Sequence, residues 1–145
     1  DVHRWFHAIG IDITEIYGMT EDTGPATIGV PGNAAESFSK KLKVDGIEIP
    51  SVFNPIGKVG IPIPGTEVKV MDDGELCIKG NHVAQGYYKA DEQTAETFDE
   101  DGWLHTGDLA EIDSEGYVKI IGRKKEILIT SAGKNIVLYS KTVKF

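Results

Sequence analysis

Residues 68–78 read VKVMDDGELCI. Val68 and Val70 alternate with a polar neighbour, Asp72-Asp73-Gly74 supplies turn residues, and Leu76 and Ile78 take up the alternation again. A period of two on both sides of an Asp-Gly turn predicts a β-hairpin. The pattern returns downstream, where Leu109 to Ile112 and Tyr117 to Ile121 flank Asp113-Ser114-Glu115-Gly116, and a further strand is predicted over Ile127 to Thr130. Ahead of the first hairpin, Gly57, Gly60, Pro62, Pro64 and Gly65 mark a tight connection. Ile11, Ile13 and Ile16 predict a short buried strand. Asp91 is placed to N-cap a helix running through Phe98, with Glu92 in its first turn. Residues 3–9 read as the end of a helix stopped by Gly10, and residues 30–55 as a long excursion. The fold class is mixed α/β and β-rich.

Bulk properties narrow the function. The chain has 145 residues, the length of one domain or a piece of a larger protein. A net charge of -8 argues against nucleic acid as a partner, because no strongly basic face is expected. The single cysteine, Cys77, forms no internal disulfide and fits a reducing compartment. Flanked by Leu76 and Ile78, it reads as a buried structural thiol rather than a nucleophile. No apolar run approaches the ~20 residues of a membrane span, and no basic-then-apolar leader opens the chain. Position 1 is Asp1 rather than Met, which suggests a chain cut from something longer.

Three clusters carry candidate chemistry. Tyr17-Gly18-Met19-Thr20-Glu21 follows the first predicted strand, where open α/β folds bind ligands. Its residue types suit a nucleoside phosphate: an aromatic face for a base, a glycine for close backbone approach, a hydroxyl for a phosphate oxygen, and a hard carboxylate for Mg²⁺. Alone, these five residues are more often a solvated strand-end turn. The second cluster, Gly102 to Leu109, places Asp108 just before a strand, where a carboxylate can accept ribose hydroxyls. His105 reads as a packing residue rather than a base, since no nucleophile is arranged with it. In the third, Arg123 offers a fork of donors to ribose or phosphate. Ala132-Gly133-Lys134 is not a Walker loop, because Asn135 stands where Ser or Thr is required.

Taken together in order and spacing, the clusters are specific. YGMTE (17–21), GYYKADEQTAETFDEDGWLHTGDLA (86–110) and GRKKEILITSAGKN (122–135) resemble three core motifs of the adenylate-forming superfamily. That superfamily includes acyl-CoA synthetases, luciferases and the adenylation domains of peptide synthetases. GKVGIPIPGTEVKV (57–70) and GELCIKG (74–80) resemble the stretch between the first two motifs. The resemblance covers roughly residues 10–136, and the third motif is most similar to long-chain fatty acyl-CoA synthetases, including the bubblegum-like group.

The resemblance implies that residues 1–122 are the C-terminal portion of a large N-terminal AMP-binding domain, with part of its β-barrel subdomain. Residues 123–136 would be the hinge and the start of a small C-terminal domain, and residues 137–145 a divergent tail. It implies that Tyr17 stacks on adenine beside Gly18, Thr20 contacts the α-phosphate, and Glu21 holds Mg²⁺. Asp108 would bind the ribose hydroxyls with Arg123 reinforcing it. Lys125 would be the hinge, and Ser131, Ala132 and Gly133 would border the coenzyme A channel. The implied substrates are ATP, a fatty acid and CoA, in an acid–thiol ligase that is cytoplasmic or peripheral to membranes. The family's phosphate loop and its late catalytic lysine are not in these residues, so this chain alone is expected to form no acyl-CoA. The alternatives are a non-catalytic product that binds a partner or nucleotide, and an adenylate-forming enzyme for a different carboxylic acid.

Overall fold

The computed structural model describes residues 2, 5–6, 9, 11, 13–29, 57–129 and 135–137. The predicted excursion over 30–55, the Ser131–Gly133 turn and the tail beyond 137 lie outside these residues. Among the described residues three antiparallel sheets form. The first has the order β1-β2-β3, from Ile16–Met19, Gly24–Ile28 and Ile61–Pro62. A four-stranded meander follows, from β4 (Thr66–Val70), β5 (Glu75–Gly80), β6 (Leu104–Ile112) and β7 (Val118–Arg123). The last two strands, β8 (Ile127–Ile129) and β9 (Asn135–Val137), pair with each other.

Both predicted hairpins form. Val68 pairs with Ile78 and Val70 with Leu76 around the Asp72–Gly74 turn, and Ile112 pairs with Val118 around the second turn. Gly74 has φ 86° and Gly116 φ 83°, the left-handed backbone that their turns require. Within β5, however, Glu75, Leu76, Cys77 and Ile78 are all buried, so this strand is covered on both faces rather than one.

Among the described residues two small cores hold the sheets. Ala26, Ile78 and Leu104 form one, and Leu76, Ala110 and Val118 the other. Tyr17 and Val68 pack against both. The two sheets are also stitched through backbone, because Val59 N–H donates to Val118 O and Val118 N–H donates to Gly60 O, each at 2.8 Å. Tyr17 therefore sits at the seam, which fixes the first motif against the second.

The structure corrects three expectations. Ile11 and Ile16 are exposed, and the strand begins only at Ile16. Tyr17, Gly18 and Met19 are thus within β1 rather than after it, in an antiparallel sheet rather than at the end of a parallel one. Asp91 is the first residue of the helix Asp91–Thr97, and Ala90 is its N-cap, with no side-chain cap. Thr94 anchors that helix instead, accepting from Tyr87 N–H through Oγ1 at 2.9 Å. Asp108 lies within β6, not ahead of it.

Candidate functional site

The first motif is shaped by a close backbone crossing. β1 and β2 shift register between Tyr17 and Gly18, and Gly18 pairs with Pro25. A Cβ on Gly18 would lie 1.9 Å from Gly24 O, so only glycine allows this approach. Thr20–Asp22 then form a 3-10 turn. Asp22, fully buried, closes it by accepting from Met19 N–H and Gly24 N–H, both at 3.1 Å through Oδ1.

A bulge in β6 aims the second motif. Between the pairs Cys77↔His105 and Glu75↔Leu109, β5 advances two residues (77 − 75) while β6 advances four (109 − 105). Thr106-Gly107-Asp108 thus stand opposite Leu76 alone, a surplus of two residues, bent through Gly107 at φ 71°. Thr106 Oγ1 donates to Leu76 O at 2.7 Å and accepts from Asp108 N–H at 3.1 Å. Asp108 is thereby turned toward Tyr17, and Tyr17 Oη donates to Asp108 Oδ2 at 2.7 Å. Arg123 is opposite Asp108 on β7 and places Nε 2.9 Å from Oδ1. Burial first, and then the bond to Asp108, push the Tyr17 phenol well above its ordinary range, so it remains a neutral donor.

Asp108 is 7% exposed and has an acceptor atom engaged on each side. A carboxylate offers about four lone-pair directions. Among the described residues each oxygen has one such contact, which leaves one of its lone-pair directions for a further donor. Sequence reasoning found Tyr17, Asp108 and Arg123 separately but missed that Tyr17 is tied to Asp108. The contact spans 91 residues of chain, and no local pattern encodes it.

Glu21, Arg123 and Lys125 line one cavity of 340 Å³, together with Glu75, Tyr87 and Lys124. Gly18 and Thr20 line a different one. Glu21 accepts from Tyr87 Oη at 2.6 Å, and this bond raises the Tyr87 phenol. Tyr87 was not singled out in the sequence, although it lies within the second motif.

Lys124, also missed, ties the turn Lys124–Glu126 to the first hairpin. Its Nζ is 2.6 Å from Asp73 Oδ2 and 2.9 Å from Glu75 Oε2. The Lys124 bond, then the Glu75 N–H, hold the Asp73 carboxyl below its ordinary range. Burial alone would raise Glu75, but bonds from Lys124, His105 and Gly107 N–H outweigh it and lower that carboxyl too. Lowered carboxyl values mean that the folded state binds protons less readily than the unfolded one. The stabilisation is therefore complete above about pH 5 and is lost as pH falls through the depressed values. Lys124→Met should cost about 0.5–1 kcal/mol near neutral pH, since the lysine is half-exposed. Melting curves of the two proteins should converge as the pH is lowered below about 3. A gap that stays constant with pH would remove the ion-pair account.

Tyr17, Asp108 and Arg123 thus form one hydrogen-bonded cluster on a β-rich scaffold, beside the Gly18 crossing. The family model described as AMP-binding enzyme matches residues 1–88, and the chain belongs to that family. Similar curated proteins include the long-chain-fatty-acid–CoA ligase FadD15 of Mycobacterium tuberculosis. It is 38% identical over 133 residues, which is 92% of this chain and 19% of that protein. The long-chain-fatty-acid–CoA ligase ACSBG2 of Rattus norvegicus is 39% identical over 138 residues, 94% of this chain and 18% of that protein. The chain thus spans about a fifth of the length of the curated relatives it matches.

Among solved structures, the o-succinylbenzoate CoA synthetase of Bacillus subtilis, in complex with its acyl-adenylate intermediate, superposes with a TM-score of 0.73 at 25% identity. The match covers 94% of this chain and 26% of that one. An ATP-bound RpMatB-BxBclM chimera reaches a TM-score of 0.69 at 34% identity, covering 94% of this chain and 25% of that one. The β-rich fold read from the sequence is that of a piece of these enzymes. No helix among the described residues is long and apolar enough to cross a membrane.

Proposed function

We propose that this chain is the nucleotide-anchoring part of an ATP-dependent long-chain fatty acid–CoA ligase. The observation that carries this is the Tyr17–Asp108–Arg123 cluster, a fixed carboxylate that keeps, among the described residues, one acceptor direction on each oxygen. In this reading Asp108 accepts the two ribose hydroxyls and Arg123 holds the carboxylate charged. The Tyr17 hydroxyl orients Asp108 while its ring borders the adenine beside Gly18. Thr20 contacts the α-phosphate. Glu21 fits Mg²⁺ by its chemistry as a hard oxygen donor, and its bond to Tyr87 fixes its direction. When bound, the ion supplies positive charge to the phosphate oxygens.

The reaction is attack of a fatty acid carboxylate on the α-phosphorus, with loss of pyrophosphate, followed by attack of the CoA thiol on the acyl carbon. Residues 1–122 belong to the large domain, and 123–136 to the hinge and the small one. Lys125 is the pivot in this reading, and Ser131, Ala132 and Gly133 border the CoA path. The long-chain substrate class rests on the relatives' names, and a place in the cytoplasm or peripheral to membranes is part of the same proposal.

The test is a chimera in which residues 15–126 replace the matching segment of FadD15. Fatty-acid-dependent ATP–pyrophosphate exchange should stay within about tenfold of the parent, because the transplanted cluster supplies the same anchors. A chimera that melts cooperatively yet gives no exchange would overturn the proposal.

A further inference from the structure

Beneath the turn Lys124–Glu126, three side chains that nucleotide binding does not use converge. Glu75 and Cys77 on β5 and His105 on β6 each present a donor atom, and the three atoms lie within 4.8 Å of one another. We propose that they form a site for a borderline-soft divalent cation of the zinc type, which would tie β5 to β6 beside that turn.

Two of the three distances are those of a coordination shell, and the third is within 4.8 Å. Zinc bonds of about 2.3 Å to sulfur and about 2.0–2.1 Å to nitrogen or oxygen give tetrahedral edges of about 3.5 Å for S···N and about 3.3 Å for N···O. Cys77 Sγ is 3.5 Å from His105 Nδ1, and Nδ1 is 3.2 Å from Glu75 Oε2. One ring nitrogen thus faces a thiol and a carboxylate together, and it cannot serve both fully by sharing a single proton. A cation among the three satisfies all of them.

The surroundings fit as well. A metal-bound histidine usually gives its other N–H to a carboxylate, and a ligating carboxylate is itself hydrogen-bonded. His105 Nε2 is 3.6 Å from Asp99 Oδ2, and Gly107 N–H donates to Glu75 Oε1 at 2.9 Å. Sulfur and imidazole donors favour zinc-like ions over Mg²⁺ or Ca²⁺. Glu75 and His105 line the 340 Å³ cavity, which offers an entry path and a solvent ligand. Lys124 occupies Glu75 Oε2, but its second anchor on Asp73 lets it release that oxygen and keep an ion pair. Binding requires Cys77 to lose its thiol proton to solvent.

Because Cys77 is the only cysteine, any thiolate–metal band reports on this site. The 145-residue chain titrated with Co²⁺ should develop a sulfur-to-cobalt charge-transfer band that saturates at one ion per chain. Cys77→Ala should abolish it, and His105→Gln, Glu75→Gln and Asp99→Asn should each weaken binding about 10- to 100-fold. Zn²⁺ should raise the melting temperature of the unsubstituted chain and leave that of His105→Gln unmoved, a readout that holds even if Cys77→Ala fails to fold. No band in the unsubstituted chain overturns the proposal. So does a band of equal affinity in His105→Gln and Glu75→Gln, which would mark a lone thiol.

Discussion

Gly60→Ala should lower stability by about 2–5 kcal/mol, from about 1–2 for the left-handed backbone and about 1–3 for overpacking. Gly60 has φ 96°, and a Cβ there would lie 2.0 Å from Ile28 C and 2.2 Å from Gly29 N. These are backbone atoms at the end of β2, so no side-chain rotation relieves the clash. Gly60 O also accepts Val118 N–H, so moving this residue pulls the three-stranded sheet from the meander. Natural domains are only about 5–15 kcal/mol stable, which makes this loss a large share. Gly57→Ala is the control. Its φ is 88°, but among the described residues nothing lies within 4 Å of the added carbon, so it should cost only about 1 kcal/mol. Thermal melts followed by circular dichroism should separate the two by on the order of 10 °C. Equal melting temperatures would show that the seam does not depend on this crossing.

Local chemistry made the meander legible. Asp72-Asp73-Gly74 and Asp113 to Gly116 sit between alternating apolar residues, and both hairpins close in the predicted places. The first sheet was less legible because its signals are not local. Gly-Pro pairs commonly mark turns, yet β2 begins at Gly24-Pro25, since Pro25 faces Gly18 beside a register shift and a bulge tolerates proline. The isoleucine spacing over 11–16 suggested burial, but Ile11 and Ile16 are exposed because period alone does not say which face meets a neighbour. The candidate residues were found by their types and order. What the sequence could not carry was which of them touch: Tyr17 with Asp108, Tyr87 with Glu21, and Lys124 with Asp73 and Glu75. Each contact depends on strands brought together over tens of residues. Cys77 and His105 read as inert for the same reason, since their convergence requires the β5–β6 register.

Asp108→Asn should separate anchoring from folding. The amide keeps the shape of the side chain, and its single oxygen can still accept from Tyr17. It loses the charge that Arg123 pairs with, and one oxygen becomes a donor facing a donor. Arg123 is 65% exposed and can turn into water, so the fold should lose only about 1–2 kcal/mol. A ribose diol has no such escape. Two charge-assisted bonds of about 1.5–3 kcal/mol each are at stake. If one is lost and the other weakened, Mg-ATP affinity in the chimera should fall by about 10²–10³-fold. Tyr17→Phe removes only the hydroxyl that orients the carboxylate, so it should weaken binding about 5- to 30-fold, the equivalent of about 1–2 kcal/mol, less than the loss of a direct charge-assisted bond to the ribose. In the double variant the Tyr17 loss should largely vanish, because the carboxylate it orients is gone. Isothermal titration with Mg-ATP and a parallel set of melts would measure both sides of this cycle. Additive losses would mean that Tyr17 acts on the nucleotide through its ring alone. Unchanged affinity in Asp108→Asn, with stability reduced, would make Asp108 a structural partner of Tyr17 and Arg123 and remove it from the ribose.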